Sequence, residues 1–495
     1  KFFVQKIEIK GNTIFQTAEF FPMIKNYENR EATLEDLKAI TYAITQKYQK
    51  SGYITSLAYV PPQDLEKGTI AIEIIEGRVG KILIEGNRFF RKKKMRSYFK
   101  MREGEILEID KIQTTVRHLN ENQDRIVAAT LKAGEVPKTT DILLTVKDHF
   151  PLHGGFRYDN EGSDTSGQQR FGFTMIDNNL TSMDDLISAG TLFGKHFGFI
   201  FAQYVIPFSL THTKFIFGFS HGQATPKKEL SPRGVNGISQ TYSLGIDQSL
   251  MQSDNFLLSV RGGFEFRESR TLVDSGTFRR ERLRPFKFGP TMVVRDPWGM
   301  NVVSSDVSFG TNLFGANIHT DPSAARQGVE PYFYRLRGSL FRSQKLFFGT
   351  TGVAKMEFQH AGRKLPSSSA FYLGGATTVR GYPETDYLGD SGILTNLELF
   401  IPTYFFPQEW RLPKSELPLQ QQVQFVGFFD LGYGRLRGPS DLESPHRYLS
   451  GVGGGLKIQL KEYVSARLEW ARALGDHPLT DANRHQFHFR FEVEV

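Results

Sequence analysis

His485-Gln486-Phe487-His488-Phe489-Arg490-Phe491-Glu492-Val493-Glu494-Val495 reads as two interleaved sequences. Phe487, Phe489, Phe491, Val493 and Val495 fall on one face of an extended strand, and His488, Arg490, Glu492 and Glu494 fall on the other. One face is wholly apolar and the other wholly polar, as in a strand that separates lipid from water. The same period runs backward through the chain: Phe197, Phe199 and Phe201 alternate with Gly198, Ile200 and Ala202, and Phe215, Phe217 and Phe219 share a side. From Phe150 onward, alternating segments of roughly ten residues are separated by Gly, Asn, Asp, Ser and Pro. Sixteen such segments are expected between residues 151–160 and 485–495, an even number that lets an up-and-down barrel close. A soluble sandwich or propeller would need turns every 8–12 residues or a blade-length repeat, and residues 150–495 carry neither.

The first 149 residues follow another rule. A strand at Phe2–Lys10, a turn at Gly11-Asn12-Thr13, helices at Thr17–Tyr27 and Thr33–Ser51, and strands at Ile54–Val60 and Thr69–Glu76 give the order β-α-α-β-β. The order recurs from Val79, with a strand to Glu85, a turn at Gly86-Asn87, helices near Lys92–Lys100 and Ile109–Asn120, and strands at Ile126–Lys132 and Asp141–Lys147. Each copy opens on one phrase, Ile7-Glu8-Ile9-Lys10-Gly11-Asn12 and Ile82-Leu83-Ile84-Glu85-Gly86-Asn87, which marks an internal repeat. Three units are therefore expected: residues 1–78, 79–149 and a barrel over 150–495.

Composition agrees with this division. The 495 residues include 43 Phe, 18 Tyr and 47 Gly, a mixture suited to many antiparallel strands. No stretch approaches the roughly 18 consecutive apolar residues of a membrane-spanning helix. With no cysteine, neither a disulfide framework nor a thiolate metal site can form. The net charge of +8, 61 basic against 53 acidic residues, is a mild excess spread along the chain and points away from nucleic acid.

Specific phrases carry a resemblance. Gly11-Asn12-Thr13, Tyr48 with Gly52-Tyr53, Pro62-Gln63-Asp64-Leu65 with Gly68, and Ile75-Glu76-Gly77-Arg78-Val79-Gly80 resemble the first POTRA domain of the TpsB two-partner secretion transporters. His118-Leu119-Asn120 and the run from Leu131 to Val146 resemble the end of that family's second POTRA domain. Val379-Arg380-Gly381-Tyr382 resembles the tetrapeptide at the tip of the family's sixth extracellular loop, and Phe428-Phe429-Asp430-Leu431-Gly432 resembles its thirteenth-strand motif. The resemblance implies two POTRA domains before a sixteen-stranded outer-membrane barrel, a long loop at about 362–391 folded into the lumen, and an Arg380–Asp430 ion pair there. Parity supports part of this independently. Phe425, Phe429 and Leu431 share one side, so Asp430 faces the lumen if the apolar side faces lipid, where a carboxylate would be costly.

Other patterns do not lead to chemistry. Gly218-Phe219-Ser220-His221-Gly222 matches a hydrolase elbow but ends an alternating strand and precedes Thr225-Pro226 and Ser231-Pro232, with no helix to follow. Gly451 to Gly455 lacks the Lys-Ser/Thr end of a phosphate loop; glycine there leaves room on an inner wall for a loop or neighbouring backbone. The twelve histidines show no ligand spacing, and His485 and His488 fall on opposite parities. Arg91-Lys92-Lys93-Lys94 reads as a solvated helix start. Neither an enzyme, a metal site nor a cofactor is expected.

The resemblance therefore implies export, without ATP, of a large unfolded partner, a TpsA-like β-helical exoprotein in extended form, through a monomeric barrel set in outer-membrane lipid. The expected capture edges are Ile54, Leu57 and Tyr59 in the first repeat and Ile126, Ala128 and Leu131 in the second, where strand addition needs only backbone bonds. The loop tip would plug the resting pore or organise its wall. Competing readings are a barrel-assembly insertase of the same superfamily and a passive porin, which leaves the repeats without a purpose. Members of the family commonly carry a plug helix ahead of the first POTRA domain, whereas Lys1 begins almost at its first strand, and Val495 stands where an aromatic residue is usual.

Overall fold

A computed structural model describes residues 1–64, 67–208, 212–226, 234–273, 276–317, 326, 328–330, 332–412, 417–441, 443–461, 463–478 and 484–495. Leu65 of the Pro62–Leu65 phrase and the Ser231-Pro232 turn lie outside the described residues. The chain forms two compact units, one of Lys1–Pro151 with Thr181–Asp184, the other of Leu152–Leu180 with Asp185–Val495.

The first unit contains two three-stranded sheets of the same plan. In one, Thr69–Ile75 is central, parallel to Lys6–Lys10 and antiparallel to Leu57–Tyr59. In the other, Thr139–Asp148 is central, parallel to Arg78–Glu85 and antiparallel to Arg125–Ala133. Helix Leu34–Lys50 starts at a capping box in which Thr33 Oγ1 accepts from the Asp36 N–H while the Asp36 carboxylate accepts from the Thr33 N–H. It buries Leu37, Ile40, Ile44 and Tyr48 in one core with Ile70, Ile72 and Ile74. Leu34, at the first helical position, is exposed.

The repeated Gly-Asn phrase has one geometric cause in both copies. Gly11 and Gly86 take φ of +88° and +85°, and a Cβ on either would lie 2.4 Å from a carbonyl oxygen of the central strand, Ile74 or Val146. The asparagine then closes the turn, Asn12 Nδ2 donating to Phe15 O and Asn87 Nδ2 to Phe90 O, each at 2.8 Å. A carboxylate at the end of each central strand collects the turn's free N–H groups. Glu76 accepts from Thr13 and Ile14, and Asp148 accepts from Arg88, Phe89 and Phe90.

Three local expectations change. The strand expected over Phe2–Lys10 is split, because the Gln5 and Lys6 N–H groups both bond to Gly68 O and Phe2–Val4 turns away to pair with Arg30–Ala32. The expected helix Thr17–Tyr27 is a chain of short turns, Thr17–Phe20, Phe21–Ile24 and Lys25–Tyr27, with Pro22 inside it. Ile54 is not on an edge strand. The helix ends at Gly52, φ +91°, a turn through Ser56 N–H to Tyr53 O follows, and pairing starts only at Leu57.

The second unit is a closed antiparallel barrel of sixteen strands. Its eighth strand is interrupted at Arg284-Pro285: Gly276–Leu283 and Phe286–Asp296 pair in turn with different halves of the seventh, Phe256–Val273. Proline has no N–H to give the ladder, so the break falls where pairing is lost anyway. The first strand, Leu152–Asp159, meets the last, His485–Glu494, from Arg490 opposite Asp159 to Glu494 opposite Gly155. Asn160 extends this seam with its side chain, donating to Phe487 O at 2.7 Å and accepting from Phe489 N at 2.8 Å. Closure leaves no sheet edge in hydrocarbon, where unpaired backbone groups cost several kcal/mol each. No helix among the described residues is long and apolar enough to cross a membrane.

Glu76 supplies a test of the first sheet. Burial pushes its carboxyl up, but bonds from the Thr13 hydroxyl and the Ile14 and Thr13 N–H groups outweigh this and hold it below the ordinary carboxylate range. A depressed carboxyl stabilises the fold above its unfolded value, and that contribution is lost as pH falls through the folded value. Glu76→Gln is expected to cost about 1–3 kcal/mol. It should speed hydrogen exchange at the Thr13 and Ile14 amides at neutral pH and narrow its difference from wild type in acid.

Candidate functional site

The eleventh and twelfth strands, Thr351–Ala361 and Ser391–Pro402, are joined by the long segment 362–390, which is largely buried. Residues of this segment and of the wall form an apolar core inside the barrel: Phe371, Leu373, Val379, Tyr382 and Tyr387 with Leu394, Leu449 and Ala473. Tyr382 and Val379 are fully buried.

Parity on the thirteenth strand, Val423–Arg435, does the sorting. Phe429 is 37% exposed toward the apolar surroundings, whereas Asp430 is 0% exposed. Arg380 Nε donates to Asp430 Oδ2 and Nη2 donates to Oδ1, both at 2.7 Å, so the guanidinium holds the carboxylate through two parallel bonds. The Arg380 N–H adds a third bond at 3.1 Å. Phe428 shares the inward parity, and the Arg380 guanidinium carbon lies 3.5 Å from the centre of its ring.

Sequence reading paired one arginine with one aspartate; the structure surrounds that arginine with three carboxylates. Arg380 Nη1 donates to Glu398 at 2.6 Å and to Glu469 at 3.3 Å. Arg467 bridges the same two glutamates, at 2.6 Å and 2.5 Å. Asn396 Nδ2 ties the loop to the wall, donating to Thr378 O and to Asp430 Oδ1. Glu398 and Glu469 went unmarked in the sequence: a polar lumen has charges throughout, and nothing local to these two singles them out.

Small wall residues make the fit. A Cβ on Gly451 would stand 2.0 Å from Arg380 O, and one on Gly432 would stand 2.8 Å from Val379 Cγ2. Gly381 itself takes φ +95° and passes so close to the fifteenth strand, Val464–Ala473, that a Cβ would meet Ala473 N at 2.5 Å. Of the residues singled out by the two motifs, Val379, Arg380, Gly381, Tyr382, Phe428, Asp430 and Gly432 converge here, while Phe429 points to the opposite side.

In the first unit, Leu57 and Tyr59 lie on an outer strand, as do Ile126, Ala128 and Leu131. Helix side chains occupy part of each edge: Thr45 Oγ1 accepts from Ala58 N, and Asn120 both accepts from Val127 N and donates to Val127 O. Beyond Val127 the outer side of Arg125–Ala133 is joined to no further strand of its sheet.

The profile of the family described as haemolysin secretion/activation protein ShlB/FhaC/HecB matches residues 138–458, and POTRA profiles match residues 2–77, of the ShlB type, and 77–125. The chain belongs to the ShlB/FhaC/HecB family. It is 26% identical over 444 residues to the outer membrane transporter CdiB of Dickeya dadantii (strain 3937), covering 87% of this chain and 76% of that one. It is 23% identical over 517 residues to the heme/hemopexin transporter protein HuxB of Haemophilus influenzae (strain 86-028NP), covering 98% and 86%. The solved structure of CdiB from Escherichia coli superposes with a TM-score of 0.75 at 21% identity, over 100% of this chain and 90% of that one. As a ShlB/FhaC/HecB member the protein is an outer-membrane transporter of two-partner secretion, its POTRA domains on the periplasmic side.

Gly451→Val tests the seating of the loop. Overpacking of this kind costs about 1–3 kcal/mol, and here it acts on the Arg380 carbonyl. The variant should assemble as a barrel yet show raised single-channel conductance and faster proteolysis within residues 362–391.

Proposed function

We propose that this transporter exports a large exoprotein in extended form, captured by strand addition at Leu57–Tyr59 and at Arg125–Ala133 and then threaded through the lumen as a single-chain pore. The reading is carried by one observation, a polar lumen in which the tip of the long loop is fastened to the wall by a fully desolvated arginine. No nucleotide-binding motif is present in the sequence, so direction would come from folding of the partner outside the cell. Backbone pairing suits such a partner because it makes little demand on side chains. The fastened tip acts as part of the wall.

The proposed roles of the individual residues follow from charge. Removing Arg380 leaves Asp430, Glu398 and Glu469 facing one another, with Arg467 bridging the two glutamates. Breaking a buried pair by removing one partner costs roughly 3–5 kcal/mol, which is enough to release the tip. Arg380→Asp is therefore expected to reduce export of the cognate partner about tenfold or more while barrel still accumulates in the outer membrane. Export at the wild-type rate would remove Arg380 from the mechanism. Deleting residues 1–78 should abolish capture of the partner in a pull-down; undiminished capture would relocate recognition to the remainder of the chain.

A further inference from the structure

The long loop does not hold both sides of the barrel in the same way. Its tip is buried against strands twelve to fifteen, through Asn396, Glu398, Asp430, Gly451 and Glu469. Its ascending limb, Leu365–Ser369, crosses to strands seven to eleven and is held there by a few hydrogen bonds. Glu281 accepts from the Ser367 N–H at 3.1 Å and from the Ser368 hydroxyl at 2.9 Å. Arg267 donates to Ser368 O at 2.9 Å, and Arg335 and Gln359 donate to Ser369 O at 3.4 Å and 3.2 Å.

Beneath that limb lies a cavity of about 540 Å³. Its charged lining is Arg261, Glu265, Lys287, Asp306, Arg337 and Glu357, three cations and three anions, interspersed with Ser243, Ser304, Ser339 and several glycines. The register relates the two features. Arg267 lies two residues beyond Glu265 along the seventh strand, Arg335 two before Arg337 on the tenth, Tyr334–Lys345, and Gln359 two beyond Glu357 on the eleventh. Successive inward side chains are two residues apart, and each of these steps runs away from the rim at which the chain enters the barrel. The limb is thus one layer of side chains to the extracellular side of the cavity.

We infer that the exported chain passes along the wall from the sixth strand, Asn236–Gln252, to the eleventh, Thr351–Ala361, through this cavity, and leaves by displacing the Leu365–Ser369 limb while the Arg380 tip stays seated. The inference rests on the export reading and assigns the route within it. The wall fits an extended polar polypeptide of low net charge. Glu265 is paired with Lys287 at 2.5 Å and with Arg267 at 2.9 Å, Glu357 with Lys355 at 2.6 Å and Arg261 with Asp247 at 3.0 Å, and the lining balances three cations with three anions, so a passing side chain meets no excess of either sign. Serines and glycines keep the wall low. The limb is the lighter closure: Leu365 is buried with Leu283, Phe333 and Ala361, but from Ser367 to Ser369 it is held by hydrogen bonds, each worth about 0.5–1.5 kcal/mol, or somewhat more where a charged group takes part, whereas the tip is held by an arginine among three carboxylates.

Ion flow through the full-length protein in planar bilayers tests the route without the partner, so its outcome is separate from that of the export assay. Under a KCl gradient, Arg337→Glu should raise the K⁺ over Cl⁻ permeability ratio about twofold or more, because the charges lining a narrow path set its selectivity. Thr291→Asp adds a charge to the same wall without removing an ion pair and should shift the ratio in the same direction. Glu281→Ala should increase the open fraction with the selectivity unchanged. Wild-type selectivity in both wall variants, from channels that open normally, would overturn the route, and an unchanged open fraction in Glu281→Ala would overturn the limb as its closure.

Discussion

A guanidinium cannot be left alone in a low-dielectric space, and Arg380 is 3% exposed. Everything distinctive about the lumen follows from how that charge is satisfied. Asp430 takes both arms of the fork, Glu398 and Glu469 take the remaining nitrogen, Phe428 lies beneath the plane, and Arg467 balances the excess carboxylate. These groups project inward from three strands, Glu398 from the twelfth, Phe428 and Asp430 from the thirteenth, and Arg467 and Glu469 from the fifteenth, so the arginine is satisfied in full where those strands come together around it. The loop tip is thereby directed to one side of the barrel, and the other side keeps the cavity beneath the Leu365–Ser369 limb.

Much of this architecture is legible in the sequence because it rests on periods. A two-residue alternation must be maintained by every strand with lipid on one side and water on the other, and His485–Val495 states it without interruption. The tandem domains are legible for a different reason: Gly11 and Gly86 occupy a backbone conformation closed to other residues, and the Asn beside each repeats the same bond. Asp430 could be assigned to the lumen by parity alone. Its partner could not, because Arg380 lies fifty residues earlier in a loop without a period, and only the resemblance of Val379–Tyr382 to a known motif joined the two.

Most of what escaped the sequence was set by distant contacts. Phe2–Lys10 alternates as one strand, yet the Gly68 carbonyl takes the N–H groups of Gln5 and Lys6 and divides it. Ile54 has the composition of a strand residue, but the turn after Gly52 holds it away from the sheet. Glu398 and Glu469 are two inward acids among many until the loop arrives between them. For the divided strand and the two glutamates the deciding partner is separated by enough chain that no local pattern records it, whereas the turn at Ile54 is made by its own neighbours, Gly52, Tyr53 and Ser56.

Asn120 has a consequence for how the second POTRA domain would be read by an incoming chain. By filling both the donor and the acceptor of Val127, its amide acts as a one-residue stub of a fourth strand. An added strand must start pairing past that stub, which gives the edge a zero mark from which residues are counted. Since a shift of one residue turns every side chain to the opposite face, a strand added at this proposed edge would meet, at Asn120, a fixed point from which its pairing starts.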